Sequence, residues 1–478
     1  MERDTYTDGT VQSLVEKKYI PVKVDRSARP DLSNRFWNYA LPGIVIFNSD
    51  GSEIVRQQGY MPARQMASML QAVIDDPSPG PSVKPEPALQ YSSSPSIDPA
   101  VLKTLQKSVD SQYDIPAQGW AFAVQYLDSE FVEYTFANSG HDRRVDDGYL
   151  RLAIRRSRQL IDPVWGGVYQ SLVVPVSDNG DETSQFLRIQ ISGPLDTSGD
   201  SWNTPHFEKT AAIQAQAMEI FSAAYGRWHE QSDLTAALNV AGYVHNYLLS
   251  RDGAFYTGQA GYIDGSLSDE DFFGRDDRGR KAMGIPTIDK NIYASENGRL
   301  ISALFRLYFV TNDRSFLQEG ERSARWVMEH RALPGGGFSH GAHDTGGPYL
   351  IDSVRMGRAF LALYAATHDV LWLERAQGAV DFIEKQFLRS SVPGVISSGV
   401  ETDPRYQPHA NREENAALIC FVAEAARFSG KRDHQELVTS AMRYLVTRKV
   451  ATANLSAPVL LAANRYAEYI NRAAAPAK

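Results

Sequence analysis

Cysteine is almost absent from this sequence: Cys420 is the single thiol among 478 residues. One thiol excludes a disulfide within the chain and a cysteine-rich zinc site. Long apolar runs are also missing, since no segment approaches the roughly 18 residues of a membrane-spanning helix. Residues 1–12 lack the apolar core of a secretory signal peptide. These absences predict no membrane partner and favour a cytoplasmic location, with the compartment left open.

An excess of positive charge is missing too. The chain has 49 Lys+Arg against 57 Asp+Glu, a net charge of −8, whereas nucleic-acid binding needs a basic surface. No His-x-x-x-His or similar metal-ligand spacing occurs, so neither a metal nor another cofactor is predicted. The expected ligand is therefore a small molecule or a glycan, and the oligomeric state is left open.

Proline and serine are concentrated in residues 77–98. At this density they build neither a helix nor a central strand, so this stretch is predicted to be a linker. It separates residues 1–76, which alternate helix and strand patterns, from residues 99–478. The first segment is predicted to contain helices at 11–18, 30–39 and 62–74 and strands at 19–24, 43–47 and 53–56.

The second segment is predicted to be almost entirely helical. Its pattern from Leu307 to Leu317 returns 56 positions later from Leu363 to Leu373, as expected for repeated helical hairpins with Asp313 and Asp369 near helix starts. Apolar residues recur with helical spacing in eleven segments, near 99–113, 147–161, 206–226, 231–249, 291–312, 315–331, 350–367, 370–388, 413–429, 433–449 and 455–472.

A glycine beside an aromatic or β-branched residue recurs between the predicted helix pairs. Five or six hairpins joined through such loops predict a mainly α fold, a closed (α/α)6 toroid whose loops converge around a central cavity. The recurring elements are at 119–120, 166–169, 253–256, 335–338 and 394–396.

Two groups of residues resemble the spermatogenesis-associated protein 20 family, the YyaL-type or DUF255 proteins. In the first segment, residues 21–31 resemble its thioredoxin-like domain. The resemblance covers nearly the whole chain and implies a six-hairpin glycosidase-like (α/α)6 barrel, of the N-acylglucosamine 2-epimerase type, after an N-terminal α/β domain. The barrel residues that carry it are Asp162, Gly166-Gly167, Pro205-His206-Phe207-Glu208-Lys209, Gly253-x-Phe255-Tyr256, Asp289-Lys290, Asn297-Gly298 and Asp352.

The first segment departs from that family at Met1. The family's Cys-His-Trp-Cys-His segment directly precedes the residues that resemble Met1-Glu2-Arg3, so only a partial thioredoxin-like domain without its CxxC half is expected at 1–76. An extension upstream of Met1 and a lost redox half both explain this. The chain as written cannot perform thiol–disulfide exchange, which needs an attacking and a resolving thiol.

The barrel departs from the family in its acidic residues. The family's Gln-Asp-Ala-Asp run corresponds to Gln259-Ala260-Gly261-Tyr262 here, and its aspartate after the His-Phe-Glu-Lys block falls at Ile213. The family's tryptophan before Asn-Gly is Glu296. A catalytic role of the missing carboxylates cannot be carried over to this chain.

Acid–base chemistry on a sugar is the activity predicted for the barrel. Hydrolysis needs two carboxylates, and epimerisation could use a histidine base, since imidazole titrates near neutrality. Each candidate has a structural alternative, because such side chains often cap helix N-termini. The predicted catalytic residues are His206, Glu208, Asp289 and Asp352.

Several side chains near the predicted loops are expected to bind the substrate. Aromatic rings suit stacking on a pyranose, although packing in the core is the alternative for most of them. A non-catalytic scaffold, or a thiol-redox-associated protein whose CxxC lies upstream or is lost, is the alternative function. An enzyme is expected to bring two titratable side chains within about 10 Å. The predicted substrate-binding residues are Trp165, Phe207, Tyr256, Gln259, Asn297, His340, His409 and Glu414.

Overall fold

The computed structural model divides the chain into two compact units. The described residues of the first unit lie within Met1–Leu89, and those of the second within Gln90–Val174 and Gly199–Lys478. The predicted domain limits at 76 and 99 stay a prediction. The structure describes residues 1, 4–36, 42–83, 88–111, 113–114, 119–120, 124–125, 128–138, 147–173, 204–263, 269–389, 391–399 and 409–474.

The first unit contains two helices, a β-hairpin and a third helix. These are α1 (Gly9–Lys18), α2 (Pro30–Arg35), β1 (Gly43–Phe47), β2 (Glu53–Gln58) and α3 (Ala63–Asp75). The antiparallel hairpin and α3 confirm the predicted pattern. Asp8 caps α1 by accepting the N–H groups of Thr10 and Val11. The small core contains Val11, Ile46, Ile54, Met66 and Leu70.

The predicted strand at 19–24 is wrong. Within the described residues of this unit, β1 and β2 pair only with each other, and a strand needs a hydrogen-bonded neighbour. Its apolar side chains consequently face solvent: Ile20 is 92% exposed and Val22 is 76% exposed. Its residues alternate as those of a strand do, but no strand among the described residues pairs with this segment.

The second unit is built mainly from helices. Its helices are α4 (Pro99–Asp110), α5 (Ser129–Asn138), α6 (Asp147–Ser157), α7 (Ala211–Trp228), α8 (Gln231–Tyr243), α9 (Asp269–Phe273), α10 (Asp277–Met283), α11 (Ala294–Thr311), α12 (Arg314–His330), α13 (Leu350–Thr367), α14 (Val370–Phe387), α15 (Arg412–Ser429), α16 (Gln435–Leu445), α17 (Arg448–Ala451) and α18 (Ala457–Ala474). Within the described ranges, no helix has the length and apolar character needed to cross a bilayer.

Six of these helices close into a ring. Helix α5 packs on α7, α7 on α11, α11 on α13, α13 on α15, α15 on α18, and α18 returns to α5. Helices α8, α12, α14 and α16 follow their inner neighbours after short loops and form the outer layer with α4 and α6. This closed double layer confirms the predicted (α/α)6 toroid.

The turns within the hairpins follow a repeated chemistry. Asn312 and His368 end α11 and α13 in the left-handed conformation, with φ of 57° and 56°. Asp313 and Asp369 then cap the following helices by accepting the N–H groups of Ser315 and Leu371. The sequence repeat therefore marks the turn of each hairpin, as predicted.

Several helix limits differ from the prediction. The segment predicted as a helix from 206 begins only at Ala211, because residues 204–206 and 209–210 form short strands. Helices α5, α9 and α10 are not predicted, since their short sequences lack a clear apolar period. Arg275 and Asp276 lead into α10, with Asp276 as its N-cap.

Short strands connect the helical layers of the second unit. They are β3 (Tyr113–Asp114), β4 (Gly119–Trp120), β5 (Val124–Gln125), β6 (Ser171–Val173), β7 (Thr204–His206), β8 (Lys209–Thr210), β9 (Gly258–Gln259) and β10 (Ile288–Asp289). Strands β8, β9 and β10 form one antiparallel sheet. Because β8 directly precedes α7, this sheet lies at the N-terminal ends of the inner helices, which we call the mouth.

Candidate functional site

The recurring glycine loops are held to the mouth by one repeated contact. In α7, α11 and α15 the fourth residue is an amide that bonds both the N–H and the C=O of the residue after the loop glycines. The pairs are Gln214 with Val168, Asn297 with Phe255 and Asn415 with Val395, at 2.7–3.1 Å. In α13 the equivalent Ser353 hydroxyl accepts only the N–H of Phe338. We call this contact the amide clamp.

We expect Asn297→Ala to destabilise the barrel by about 2–4 kcal/mol, because it leaves buried polar groups unpaired. Asn297 is fully buried, and its amide also donates to the Tyr293 carbonyl and accepts from the Ser323 hydroxyl. Urea unfolding measures the effect, with Gln318→Ala on the exposed face of α12 as the control. A loss no larger than that of the control would contradict a role for the clamp.

In three successive inner helices, the residue that directly precedes the clamping side chain is a carboxylate. Glu296, Asp352 and Glu414 are the third residues of α11, α13 and α15, whereas the third residue of α7 is Ile213. Neighbouring packed helices lie roughly 8–10 Å apart, so adjacent third positions are about that far from each other. The sequence predicted Asp352 and Glu414 as site residues and noted Glu296 only as a departure from the family.

Asp352 is bonded to His340, a residue of the loop that precedes α13. The His340 Nδ1 atom lies 2.9 Å from Asp352 Oδ1 and 3.2 Å from Oδ2. Asp352 Oδ1 also accepts the N–H of Ser295 in the first turn of α11, at 2.9 Å. Asp352 is fully buried and His340 is 3% exposed. The pair therefore forms a histidine–carboxylate dyad shielded from water.

Two tyrosines hold the imidazole of this dyad in place. The Tyr293 ring is stacked on His340 with centroids 4.2 Å apart and planes 9° from parallel. Tyr349 meets the same imidazole edge-on at 5.5 Å. The Asp344 carboxylate accepts the backbone N–H groups of His340 and Gly341. The ring orientation is fixed from three sides, which a proton-transferring group requires.

Glu296 lies next to this dyad. Burial raises the pKa of its carboxyl to about 8, with smaller contributions from the negative charges of Asp289 and Asp352; Thr257 and His340 oppose the shift. Its Oε2 atom is buried and has no hydrogen-bond partner among the described residues. Glu296 is therefore a protonated acid at neutral pH, close to a histidine–aspartate pair.

A second charged cluster lies under the strand sheet. Lys209 Nζ is 2.6 Å from Asp162 Oδ2, and Arg280 Nη1 is 2.7 Å from the same oxygen. All three side chains are fully buried. Burial lowers the pKa of Lys209 to about 8, although Asp162 opposes this. Lys209 also donates to the Gly166 carbonyl at 2.8 Å, so the cluster fixes the glycine loop at 166–169.

Aromatic rings enclose the cationic part of this cluster. Lys209 Nζ lies 4.5 Å from the ring centre of Tyr243 and 5.2 Å from that of Tyr169. Phe207 is stacked on Phe273 at 4.4 Å. The Trp165 indole N–H donates to Asp277 at 3.0 Å, and its ring packs on other aromatic rings. Trp165 and Phe207, two predicted substrate-binding residues, thus lie in a packed cluster.

Four other predicted residues are exposed or make other contacts. His206 is exposed on β7, and His409 is exposed before α15. Asp289, at the end of β10, accepts the backbone and side-chain N–H groups of Asn291. The backbone of Glu208 packs against Gly261, where an added Cβ would lie 2.5 Å from the Glu208 nitrogen.

Tyr256 belongs to the glycine loop at 253–256, and Gln259 lies three residues further on. The Gln259 carbonyl oxygen accepts the Tyr243 hydroxyl at 3.1 Å, and its Nε2 atom is buried without a partner among the described residues. Tyr256 is half-buried and donates its N–H to the Leu248 carbonyl. Within the described ranges, no three His, Cys, Asp or Glu side chains are grouped so as to hold a metal ion.

Charges inside the ring were missed by the sequence analysis. Arg299 of α11 and Arg355 of α13 lie 3.6 Å and 3.5 Å from Glu130 Oε1 of α5. Burial, and then the neighbouring Arg299, lower the pKa of Arg355 to about 10. Burial and the Glu130 charge raise the pKa of Asp128. The signal that the sequence offered for this cluster was the presence of charged residues on the ring-facing side of otherwise apolar helices.

Comparison with solved structures defines the class of the barrel. The chain matches a GH76 α-mannanase from Bacteroides thetaiotaomicron with a TM-score of 0.50 and 12% identity, over 79% of this chain and 97% of that one. It matches a cellobiose 2-epimerase from Bacillus thermoamylovorans with a TM-score of 0.51 and 11% identity, over 72% and 85%. The fold is therefore that of the six-hairpin (α/α)6 glycosidase-like proteins.

A weaker match concerns a cellobiose 2-epimerase from Spirochaeta thermophila, with a TM-score of 0.43 and 12% identity over 60% of this chain. This chain spans 65% of that protein, slightly less than two thirds of its length. No protein-family model matches the chain, and no curated protein matches it. The resemblance to the spermatogenesis-associated protein 20 family stays a prediction.

Proposed function

We propose that the barrel is a sugar-active enzyme that moves protons at its mouth, with epimerisation or isomerisation favoured over hydrolysis. The observation that carries the proposal is the fixed His340–Asp352 dyad beside the protonated Glu296. The six-hairpin fold supports a sugar as substrate only by analogy, because one fold hosts many activities.

Each of the three side chains has a distinct role in this proposal. Asp352 accepts the Nδ1–H of His340 and fixes the tautomer in which Nε2 takes up a proton. His340 acts as the base that removes a proton from a carbon next to a sugar carbonyl, and its imidazolium later returns that proton to carbon as the carbonyl re-forms. Glu296 supplies a proton to the developing oxyanion, since its carboxyl stays protonated near neutral pH.

Burial favours this chemistry over hydrolysis by two carboxylates. Asp352 is fully buried, and its oxygens are bonded to His340 and to the Ser295 N–H. A hydrolytic base must hold a water molecule against the sugar, and Asp352 has no surface for one. A shielded base suits proton transfer at carbon, where water would trap the intermediate.

Hydrolysis is the second candidate, because Glu296 and Glu414 occupy equivalent positions in α11 and α15. The charged interior of the ring argues against a purely structural scaffold, for which an apolar or plugged centre is expected. The neighbouring side chains of His340, Asp352 and Glu296 support the enzyme alternative, for which two titratable side chains close together are expected.

The test is incubation with aldoses, ketoses and mannose- and glucose-containing disaccharides in D2O, followed by NMR. We expect deuterium at the carbon next to the carbonyl and conversion to an epimer or ketose. His340→Gln should abolish both, whereas the exposed His330→Gln should retain them. Release of new reducing ends would favour hydrolysis instead. Absence of exchange and turnover with every sugar would refute the enzyme proposal.

We also propose the finer family assignment given by the motifs. Asp162, Gly166 and Lys209, which the resemblance singles out at distant positions, are bonded to one another. Such a connection supports a shared barrel architecture with the DUF255 proteins. On this proposal residues 1–76 are a partial thioredoxin-like domain, 77–98 a linker and 99–478 the barrel.

A further inference from the structure

We propose that the barrel has a second ligand site, which binds a small oxyanion at the end opposite the mouth. A cavity of about 220 Å³ lies there. The inner helices contribute its walls from their middle and C-terminal parts, for example Arg306 of α11, Arg358 of α13 and Arg465 of α18. None of the residues at the mouth lines this cavity.

The walls carry more positive than negative charge. Five arginines line the cavity, namely Arg306, Arg358, Arg427, Arg432 and Arg465, against three glutamates, Glu133, Glu424 and Glu468. The difference is a local charge of +2, in a chain whose net charge is −8. This concentration of cations therefore runs against the overall composition.

Two of the arginines form ion pairs with the three glutamates. Arg427 Nη2 lies 3.7 Å from Glu424, and Arg465 lies 3.2 Å from Glu468 and 3.5 Å from Glu133. Arg306, Arg358 and Arg432 form no ion pair or side-chain hydrogen bond within the described part of the chain. The donors of these three guanidinium groups therefore have no direct carboxylate partner among the described residues, although Glu133 and Glu424 attract Arg358 at longer range.

Arg358 is the central residue of this site. It is the ninth residue of α13 and half-buried inside the ring. Each of its side-chain nitrogen atoms is either exposed or hydrogen-bonded. Because the side chain forms no hydrogen bond within the described part of the chain, its guanidinium reaches the solvent of the cavity. A guanidinium has a planar fork of donors that matches carboxylate and phosphate oxygens.

The size and chemistry of the cavity define the class of ligand. Drug-sized molecules fill pockets of roughly 300–1,000 Å³, so about 220 Å³ suits a small anion. Clustered like charges repel one another, and a multiply charged oxyanion relieves this repulsion. Phosphoryl and carboxylate anions share the required chemistry and are distinguished by the test.

The test is calorimetric titration with inorganic pyrophosphate and, separately, citrate, at constant ionic strength set with NaCl. We expect at least one of them to bind the whole chain, and Arg358→Gln to weaken binding at least tenfold. Arg375→Gln removes the same charge from the exposed face of α14 and should leave the affinity within twofold. If Arg358→Gln does not fold, Arg306→Gln provides the same comparison.

The mouth provides a control that separates this site from the proposed enzymatic one. Glu296→Gln should retain full anion affinity, because Glu296 does not line the cavity. The proposal is overturned if neither anion binds, if Arg358→Gln or Arg306→Gln binds as tightly as the unchanged protein, or if Glu296→Gln removes binding. Anion binding without sugar turnover would leave this proposal standing and refute only the other.

Discussion

Replacing Asp162 by alanine is expected to lower the free energy of unfolding of the barrel unit by about 3–5 kcal/mol. Asp162 accepts Lys209 at 2.6 Å and Arg280 at 2.7 Å in a fully buried cluster. Without the carboxylate, two buried cations face each other with no counter-charge. The glycine loop at 166–169 also loses its anchor, because Asp162 Oδ1 accepts the N–H of Val164.

Urea unfolding followed by tryptophan fluorescence measures this loss, since Trp165 packs over Arg280 with its ring centre 5.2 Å away. Asp252→Ala removes an exposed carboxylate after α8 and serves as the control. Asp162→Asn keeps the shape of the side chain and should cost nearly as much, because the charge is what matters. A loss below about 1 kcal/mol, the range of exposed ion pairs, would show that the cluster is not coupled to folding.

The second large effect is expected from Glu296→Gln. If Glu296 is the proton donor, the variant should lose about 10²–10⁴-fold in turnover of the sugar found by the NMR screen. In the unchanged protein, turnover should fall above about pH 8, where the Glu296 carboxyl loses its proton. The exposed Glu374→Gln is the control and should keep both rate and pH profile.

The Glu296 carboxyl should also make the free energy of unfolding depend on pH. Its pKa is raised from 4.5 in the unfolded chain to about 8 in the fold, so the folded state holds a proton that the unfolded state releases. Stability should therefore be full below about pH 4.5 and decline as the pH rises towards 8. Urea unfolding at pH 5 and pH 9 tests this: Glu296→Gln should reduce the difference between the two values. If Glu296→Gln leaves the stability difference between pH 5 and pH 9 unchanged, the Glu296 carboxyl is in contact with water and its pKa is not raised.

Helical periodicity and turn chemistry were enough to predict the architecture of the barrel. Asp313 and Asp369 cap their helices because the capping interaction spans only two residues along the chain. The toroid itself followed from counting hairpins and glycine loops. The prediction of a strand at 19–24 was wrong because strand pairing depends on a neighbouring strand outside the segment, which local sequence does not specify.

The candidate site was only partly accessible to the same reasoning. His340 and Asp352 were both selected, but their 2.9 Å contact depends on how the loop before α13 folds back. Asn297 was selected for substrate binding, and its side-chain amide makes four hydrogen bonds that hold the barrel together. Glu296 was recorded only as a residue that differs from the family.

Local preference therefore specified which residues form helices, where each hairpin turns and that the helices carry an apolar face. These properties arise between residues a few positions apart, so the chain encodes them directly. Closure of the ring decided which charges meet: Glu130 of α5 with Arg299 of α11, and the guanidinium groups around the far cavity. Those partners are far apart in sequence. Burial alone would raise the pKa of Glu130, but the charges of Arg299 and Arg355 that the ring brings beside it lower that pKa.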